Sequence, residues 1–476
     1  MRYFNFLLTH IKANINLYLI ISAAFILRLP FGLSYLEDWD SVQLALGIHH
    51  FSIVDHQPHP PGYPLYILLG KISYFLTGND TDALTLLSII LGSLSVVPFY
   101  LLVKKMFNQS IAFFASLLFI IIPIHWRLSE IALTDIPGFF FLLTAGYFIY
   151  LSKNSLKKLT LSALFSGLVL GFRFNEIPIL LALLSLALFY QKRIKNILLV
   201  LGVFVLGTSL WLLPLIFITG FGQFINSYSS LASYVVKHDV LLNSSLSIKG
   251  LFKTKLEQLL YLLNLSYTWP IVTLSILSLF KLVTKRSWWK EYHFQFLLVW
   301  TLAYLTPLLF IYNLEHPRHL LPLLPPLIII SVAMFFWLIP TLKISIPIFL
   351  LILMLVFLQG WPQIIKLKQD IPPTIQPVLF VKSNFHPQNT TLITSFTYRQ
   401  FQYYAPEFTN YYSDKINKIA VSDDQIIIVD YLGLKDKISG SSTFKIVGQQ
   451  SFIGDRNIFT RVPEVKLYIL KKDRYE

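Results

Sequence analysis

The sequence predicts an all-α polytopic membrane bundle of about eleven transmembrane helices, followed by a small soluble α/β domain at the C-terminus. Three observations predict it. Of the 476 residues, 55% are hydrophobic and only 13% charged, against roughly 25% charged in an ordinary soluble domain. The apolar runs recur at lengths near the ~20 residues that cross a bilayer core of about 30 Å. After residue 361 the composition turns abruptly polar. No soluble core of this size hides so much apolar surface, so the excess faces lipid.

The predicted spans lie near 14–33, 83–103, 110–125, 136–151, 158–172, 176–190, 197–219, 258–281, 293–312, 319–340 and 344–361. The first run has a basic start but no small-residue cleavage site after it, so it is read as a retained helix and not a cleaved signal peptide. Basic clusters punctuate the spans: Lys104-Lys105; Lys153 with Lys157-Lys158; Lys192-Arg193 with Lys195; Lys281 with Lys285-Arg286; and Lys343. With a cytoplasmic N-terminus (Arg2, His10, Lys12) all five loops fall on the cytoplasmic side, as the positive-inside rule requires. The net charge of +15 is therefore an orientation signal, not the footprint of a nucleic-acid binder, because the Lys and Arg residues form no continuous basic face. The absence of cysteine excludes disulfides and thiolate metal sites and leaves the redox compartment open.

The same parity places 34–82, the turn 126–135, the loop 220–257 and the turn 313–318 outside, together with the tail. Two domains are expected: a transmembrane domain 1–361 with a large first outer loop 34–82, and an extracytoplasmic domain 362–476. In the tail, Gln425–Asp430, Phe444–Val447 and Val465–Leu470 read as strands. Its Tyr-rich stretch 398–412 reads as core or rim packing.

The polar residues that need explaining sit in the outer segments. The first loop carries Glu37, Asp38 and Asp40 around Trp39, opening a short interfacial helix for which Asp40 and Ser41 are both good N-caps. Carboxylates at a membrane surface are costly unless solvated or used. Downstream, Asp55 to Tyr66 contains His56, His59, Pro58, Pro60, Pro61, Gly62, Tyr63 and Pro64, a stiff, shaped loop. His49, His50, His56 and His59 lack the i, i+4 spacing of a helical zinc motif, so a divalent metal is not favoured. The second turn holds Arg127, Glu130 and Asp135. An N-cap role is the plain reading of Asp135, with Arg127 or Glu130 as a candidate partner. Two cationic sites sit at outer helix ends, Arg173 beside Glu176, and Arg318 beside His319. Each either snorkels, pairs with a neighbouring Glu, or serves an anion.

The order of these features resembles the GT-C class of lipid-linked-sugar glycosyltransferases, in the branch of the protein O-mannosyltransferases and aminoarabinose transferases (family 39-like). The resemblance rests on Arg28-Leu29 ending the first span, Asp38 and Asp40 in a large first outer loop, the Pro60 to Tyr66 stretch, the Arg127 to Asp135 turn, and the Arg318 to Pro325 element opening a late span. It covers roughly residues 14–340. Asp40 is followed by Ser41 where the family has an Asp-Glu pair, and His59 and Arg173 stand where related enzymes often have Lys.

The resemblance implies transfer of a sugar from a polyprenyl-phosphate donor to a hydroxyl of a protein, lipid or cell-envelope glycan. Asp40, Asp38 and Asp135 are the implied catalytic acids; His59, Tyr63, Arg127, Arg173, Arg318 and His319 are the implied substrate contacts; no cofactor is expected. The chemistry agrees with the residue types. A phosphate leaving group needs a cation rather than a general acid, and the acceptor hydroxyl needs a carboxylate base. A transporter or flippase of a lipid-linked glycan is the alternative, and a structural or assembly protein a third reading. The transporter would place charges deep within both halves of the bundle, whereas here they crowd at one edge. Sugar, acceptor and oligomeric state stay open.

Overall fold

The computed structural model describes residues 2–192, 196–238, 248–284, 288, 290–312, 314, 316–413, 426–431 and 444–472. The basic residues Arg193, Lys195, Lys285 and Arg286, and Glu315 and Gln425, lie outside the described residues. The chain divides into two compact units: Met1–Leu33 with Ser52–Ile365, and Ser34–Phe51 with Lys366–Glu476. The acidic stretch of the first loop therefore groups with the polar tail, and the boundary of the tail falls at residue 366, a few residues beyond the change in composition.

The first unit is helical, as the apolar runs dictate. Its helices are α1 (Arg2–Arg28); then, beyond α2 (Trp39–His49) of the other unit, α3 (Pro64–Thr77), α4 (Asp80–Leu94), α5 (Val96–Met106), α6 (Gln109–Ile121), α7 (Pro123–Leu128), α8 (Asp135–Leu151), α9 (Leu156–Val169), α10 (Ile177–Tyr190), α11 (Ile197–Thr219), α12 (Phe221–His238), α13 (Ile248–Tyr267), α14 (Trp269–Thr284), α15 (Tyr292–Phe310), α16 (Leu324–Leu338) and α17 (Leu342–Gln369), which continues past the unit boundary. Each predicted span coincides with one or two of these helices. Among the described residues, six segments are long and apolar enough to cross a bilayer alone, seven if the pair Lys253–Tyr267 and Trp269–Ser278, bent by 109°, is one broken span. Four other apolar helices have 10–17 residues and reach at most roughly 26 Å at about 1.5 Å per residue, short of the hydrocarbon thickness. Helix α3 is an addition: the predicted outer loop folds into 14 helical residues immediately after its proline cluster, with Pro64 at the first position. Gly167 and Gly207 let α9 and α11 touch backbone to backbone, since a Cβ on either would come 2.2 Å from a carbonyl of the other helix.

Contacts bring described residues in and beside the basic loops together at one end of this unit. Lys153 lies over the rings of Tyr190 and Tyr292, at 4.5 and 4.6 Å. Phe107, just past Lys104-Lys105, stacks edge-on against His293 at 5.0 Å. Trp288 meets Trp337, near Lys343, at 5.1 Å.

The second unit is a mixed sheet with helices α18 (Gln376–Asn384) and α19 (Tyr398–Tyr404). Strands β1 (Thr390–Thr394), β2 (Thr409–Tyr412), β3 (Ile426–Val429), β4 (Phe444–Ile453) and β5 (Glu464–Lys472) lie in the order β2-β1-β3-β5-β4. β1 pairs parallel with β2 and β3, and β5 antiparallel with β3 and β4. All three predicted strands are present; β1 and β2 are additional. Leu392, Ile428 and Leu467 pack with Phe401 on one face, and Ile393, Ile427 and Leu470 on the other. The carboxylate of Asp430, at the end of β3, accepts from the amides of Ser395 and Thr397 and from the Thr397 hydroxyl at 2.7–2.9 Å, tying the loop after β1 to the neighbouring strand.

Candidate active site

A buried cluster of charge forms where α8 begins. Asp135 is the first residue of that helix, but the N-cap is Thr134, which corrects the capping role expected for Asp135. The Asp135 carboxylate instead meets Arg173, with Nη1 to Oδ1 at 2.7 Å. Arg173 Nε also reaches Glu176 at 3.4 Å. Arg173 stands in an extended turn between α9 and the 3-10 turn Phe174–Glu176 that leads into α10. Its aliphatic stem lies against Gly138, one turn beyond Asp135, where a Cβ would come 2.5 Å from the Arg173 Cβ. Residues i and i+3 share a helix face, so Asp135 and Gly138 form one socket for this arginine.

Two carboxylates and one guanidinium are buried together here. The Arg173 side chain is 8% exposed, and those of Asp135 and Glu176 are 2% and 1%. Burial works against the Arg173 charge, but Asp135 and then Glu176 outweigh it and raise its pKa further. Arg318, half-buried in the 3-10 segment Pro317–Leu323 that precedes α16, lies close enough to repel that charge. Tyr312 joins the group, half-buried and near both Glu176 and Arg173. Its ring is 5.1 Å from His319 and 5.9 Å from Tyr304. The chain thus brings Asp135, Arg173, Arg318 and His319 together, and adds Glu176, Tyr304 and Tyr312. No sequence signal marks Tyr304, an aromatic within an apolar span.

Other implied contacts lie in the same unit. Tyr63 caps α3 in the left-handed region (φ 44°), and its hydroxyl is 2.9 Å from His59 Nε2. Arg127 is buried in the short helix α7 and donates to Gln363 Oε1 at 3.5 Å. That helix is fixed by a second buried cluster. Arg28 Nη2 donates to His125 Nδ1 at 2.9 Å, and His125 Nε2 faces Ser95 Oγ at 2.9 Å. A guanidinium only donates, so Nδ1 accepts, Nε2 carries the proton, and Ser95 passes its own to the Gly92 carbonyl at 2.6 Å. The Arg28 element therefore anchors α7, and with it Arg127.

Asp38 and Asp40 lie in the second unit. The N-cap of α2 is Asp38, whose Oδ1 accepts from the Asp40 amide at 2.8 Å; this corrects the expectation that Asp40 or Ser41 caps the helix. Asp40 stands in the first turn. Among the described residues, no three His, Cys, Asp or Glu side chains gather as a metal-binding group.

Residues 58–217 match the family model of the dolichyl-phosphate-mannose-protein mannosyltransferases. No curated protein sequence matches the chain. Among solved structures, ArnT from Cupriavidus metallidurans in the apo state aligns over 96% of this chain and 98% of its own, with 11% identity and a TM-score of 0.60. ArnT bound to undecaprenyl phosphate aligns over the same shares, at 11% identity, with a TM-score of 0.56. The apo oligosaccharyltransferase of Archaeoglobus fulgidus aligns over 84% of this chain at 14% identity and a TM-score of 0.52, and the chain spans 65% of its length. The chain therefore has the fold of ArnT and of the archaeal oligosaccharyltransferase, the GT-C membrane architecture, and its residues 58–217 match the model of the dolichyl-phosphate-mannose-protein mannosyltransferases.

Proposed function

We propose that the protein transfers a sugar from a polyprenyl-phosphate donor to an acceptor hydroxyl on the extracytoplasmic side of the membrane. The observation that carries this reading is the buried Asp135–Arg173–Glu176 group with Arg318 beside it, set in a GT-C fold. Arg318, half-buried beside that group, is the cation proposed for the donor phosphate, with His319 next to it in the chain and His59 as a further implied contact. In the reaction the acceptor oxygen forms a bond to the anomeric carbon as the bond to phosphate breaks. The bonding pair leaves with the phosphate oxygen, where a cation neutralises it. The acceptor proton passes to the Asp40 carboxylate. A single displacement of this kind inverts the anomeric centre.

The gathering of the basic loops at one end of the first unit supports a cytoplasmic end there, with the N-terminus on that side and the C-terminal domain across the membrane. A reporter fused after residue 476 that is active only when exported agrees with this orientation, and activity in the cytoplasm contradicts it.

The test of function is a transfer assay with the purified protein in lipid nanodiscs and short-chain polyprenyl-phosphate hexoses and pentoses. Release of polyprenyl phosphate together with an inverted glycoside supports the reading. A donor consumed by none of the sugars and acceptors, alongside movement of the intact donor between leaflets, supports the transporter instead, for which the bent α13–α14 pair is the feature in favour. Transfer is expected to persist in chelator, because arginine supplies the positive charge; loss in chelator with rescue by a divalent ion would assign that role to a metal.

A further inference from the structure

The soluble domain grips the acidic loop at the residues immediately before Asp40. Four side chains from three separate parts of that domain converge on residues 36–38. Tyr404, at the end of α19, accepts from the Leu36 amide at 2.7 Å. Thr374 and Gln400 both donate to the Glu37 carbonyl, at 3.0 and 2.9 Å. Arg461, in the segment between β4 and β5, reaches Asp38 Oδ1 at 3.2 Å. That oxygen is also the cap of α2, so the arginine holds the very atom that fixes the helix start. Trp39 is flanked by the rings of Tyr398 and Tyr412, at 6.2 and 6.1 Å, with the Arg399 guanidinium 5.8 Å from its centroid. Beyond these contacts, Val42, Leu44 and Ala45 bury the apolar face of α2.

We propose that the C-terminal domain is a clamp that sets the position of the Asp40 carboxylate, with Arg461, Gln400, Thr374 and Tyr404 as positioning residues. The proposal rests on the glycosyltransferase reading above. Core burial alone would hold α2 through its apolar face. The polar contacts do something else: they fix a main-chain carbonyl, a main-chain amide and a capping carboxylate within four residues of Asp40, and so fix where its first turn begins. Displacing a reacting group by about 1 Å can cost on the order of 10²-fold in rate, whereas an exposed ion pair adds little to stability. Arg461 is 42% exposed, so loss of its contact should register in rate far more than in melting temperature.

The test compares the full-length protein with Arg461→Ala, with Arg461→Ala/Gln400→Ala, and with Arg461→Lys, all in nanodiscs. Amide hydrogen exchange over 39–49 is read first, because it does not depend on activity. Faster exchange there in the double variant, with the exchange of α8 and α16 unchanged, is expected. Transfer kinetics are read second: kcat falls about tenfold or more, the donor KM stays within about twofold, the melting temperature holds, and Arg461→Lys recovers most of the rate. Unchanged exchange at 39–49 overturns the clamp whatever the protein catalyses. Faster exchange with kcat intact also overturns it, and leaves the transferase reading standing. Failure of that reading appears separately, as a lack of lipid-phosphate-dependent transfer by the unsubstituted protein.

Discussion

Arg173 and Arg461 each hold an aspartate, and they do so under opposite conditions. Arg173 is 8% exposed and is met by two carboxylates that are 2% and 1% exposed. Arg461 is 42% exposed and meets Asp38, which is 16% exposed. In the first case the low dielectric makes each charge depend on its partner, because an unmatched buried ion is costly. In the second, water competes for both groups and the net energy is small. The first pair is thus part of the stability of the bundle, while the second is nearly neutral in energy and matters through geometry. Counting ion pairs would treat them alike; burial separates them.

Substitutions that break the two pairs should therefore diverge. The largest effect is expected for Arg173→Ala, which strands Asp135 and Glu176 and should cost about 3–5 kcal/mol of stability, read as a fall in thermal unfolding temperature in nanodiscs. A drop no greater than that of Arg461→Ala would remove the contrast. Next comes Gly138→Ala, whose methyl group would meet the Arg173 stem; overpacking of this kind costs about 1–3 kcal/mol. Smaller again is Arg318→Gln, expected to weaken donor binding about tenfold, or ~1.4 kcal/mol, by titration with undecaprenyl phosphate and with unfolding little changed. Equal losses of stability and affinity would make Arg318 a structural residue like Arg173.

Much of this was legible in the sequence, and the remainder has definite physical reasons. The spans follow from apolar length, and the common end of the basic loops follows from where Lys and Arg fall between them. Asp135, Arg173 and Arg318 stand out because charge near a membrane helix end is costly without a purpose. Their partnership does not, because pairing across helices depends on packing rather than on spacing along the chain, and the nearer Arg127 and Glu130 were equally good candidates by sequence. Asp38 and Asp40 have similar capping propensity, so only backbone geometry chooses between them. Helix α3 was hidden by the proline cluster, which marks its start as readily as it marks a loop. The grip of Arg461 on Asp38 joins residues 423 positions apart and leaves no local trace; the tyrosines around Trp39 read as packing, and packing is part of what they do.

The central claim, that Asp40 is the base of a lipid-phosphate-sugar transferase, is tested most directly by comparing Asp40→Asn with Asp38→Asn. Both replacements keep shape, and Asn caps a helix about as well as Asp, so both proteins should unfold near the temperature of the unsubstituted one. Turnover with a polyprenyl-phosphate sugar should fall by about 10²–10⁴ in Asp40→Asn, with donor binding retained, and by much less in Asp38→Asn. Near-normal turnover in Asp40→Asn with an inactive Asp38→Asn would move the base to Asp38, and normal turnover in both would contradict the account.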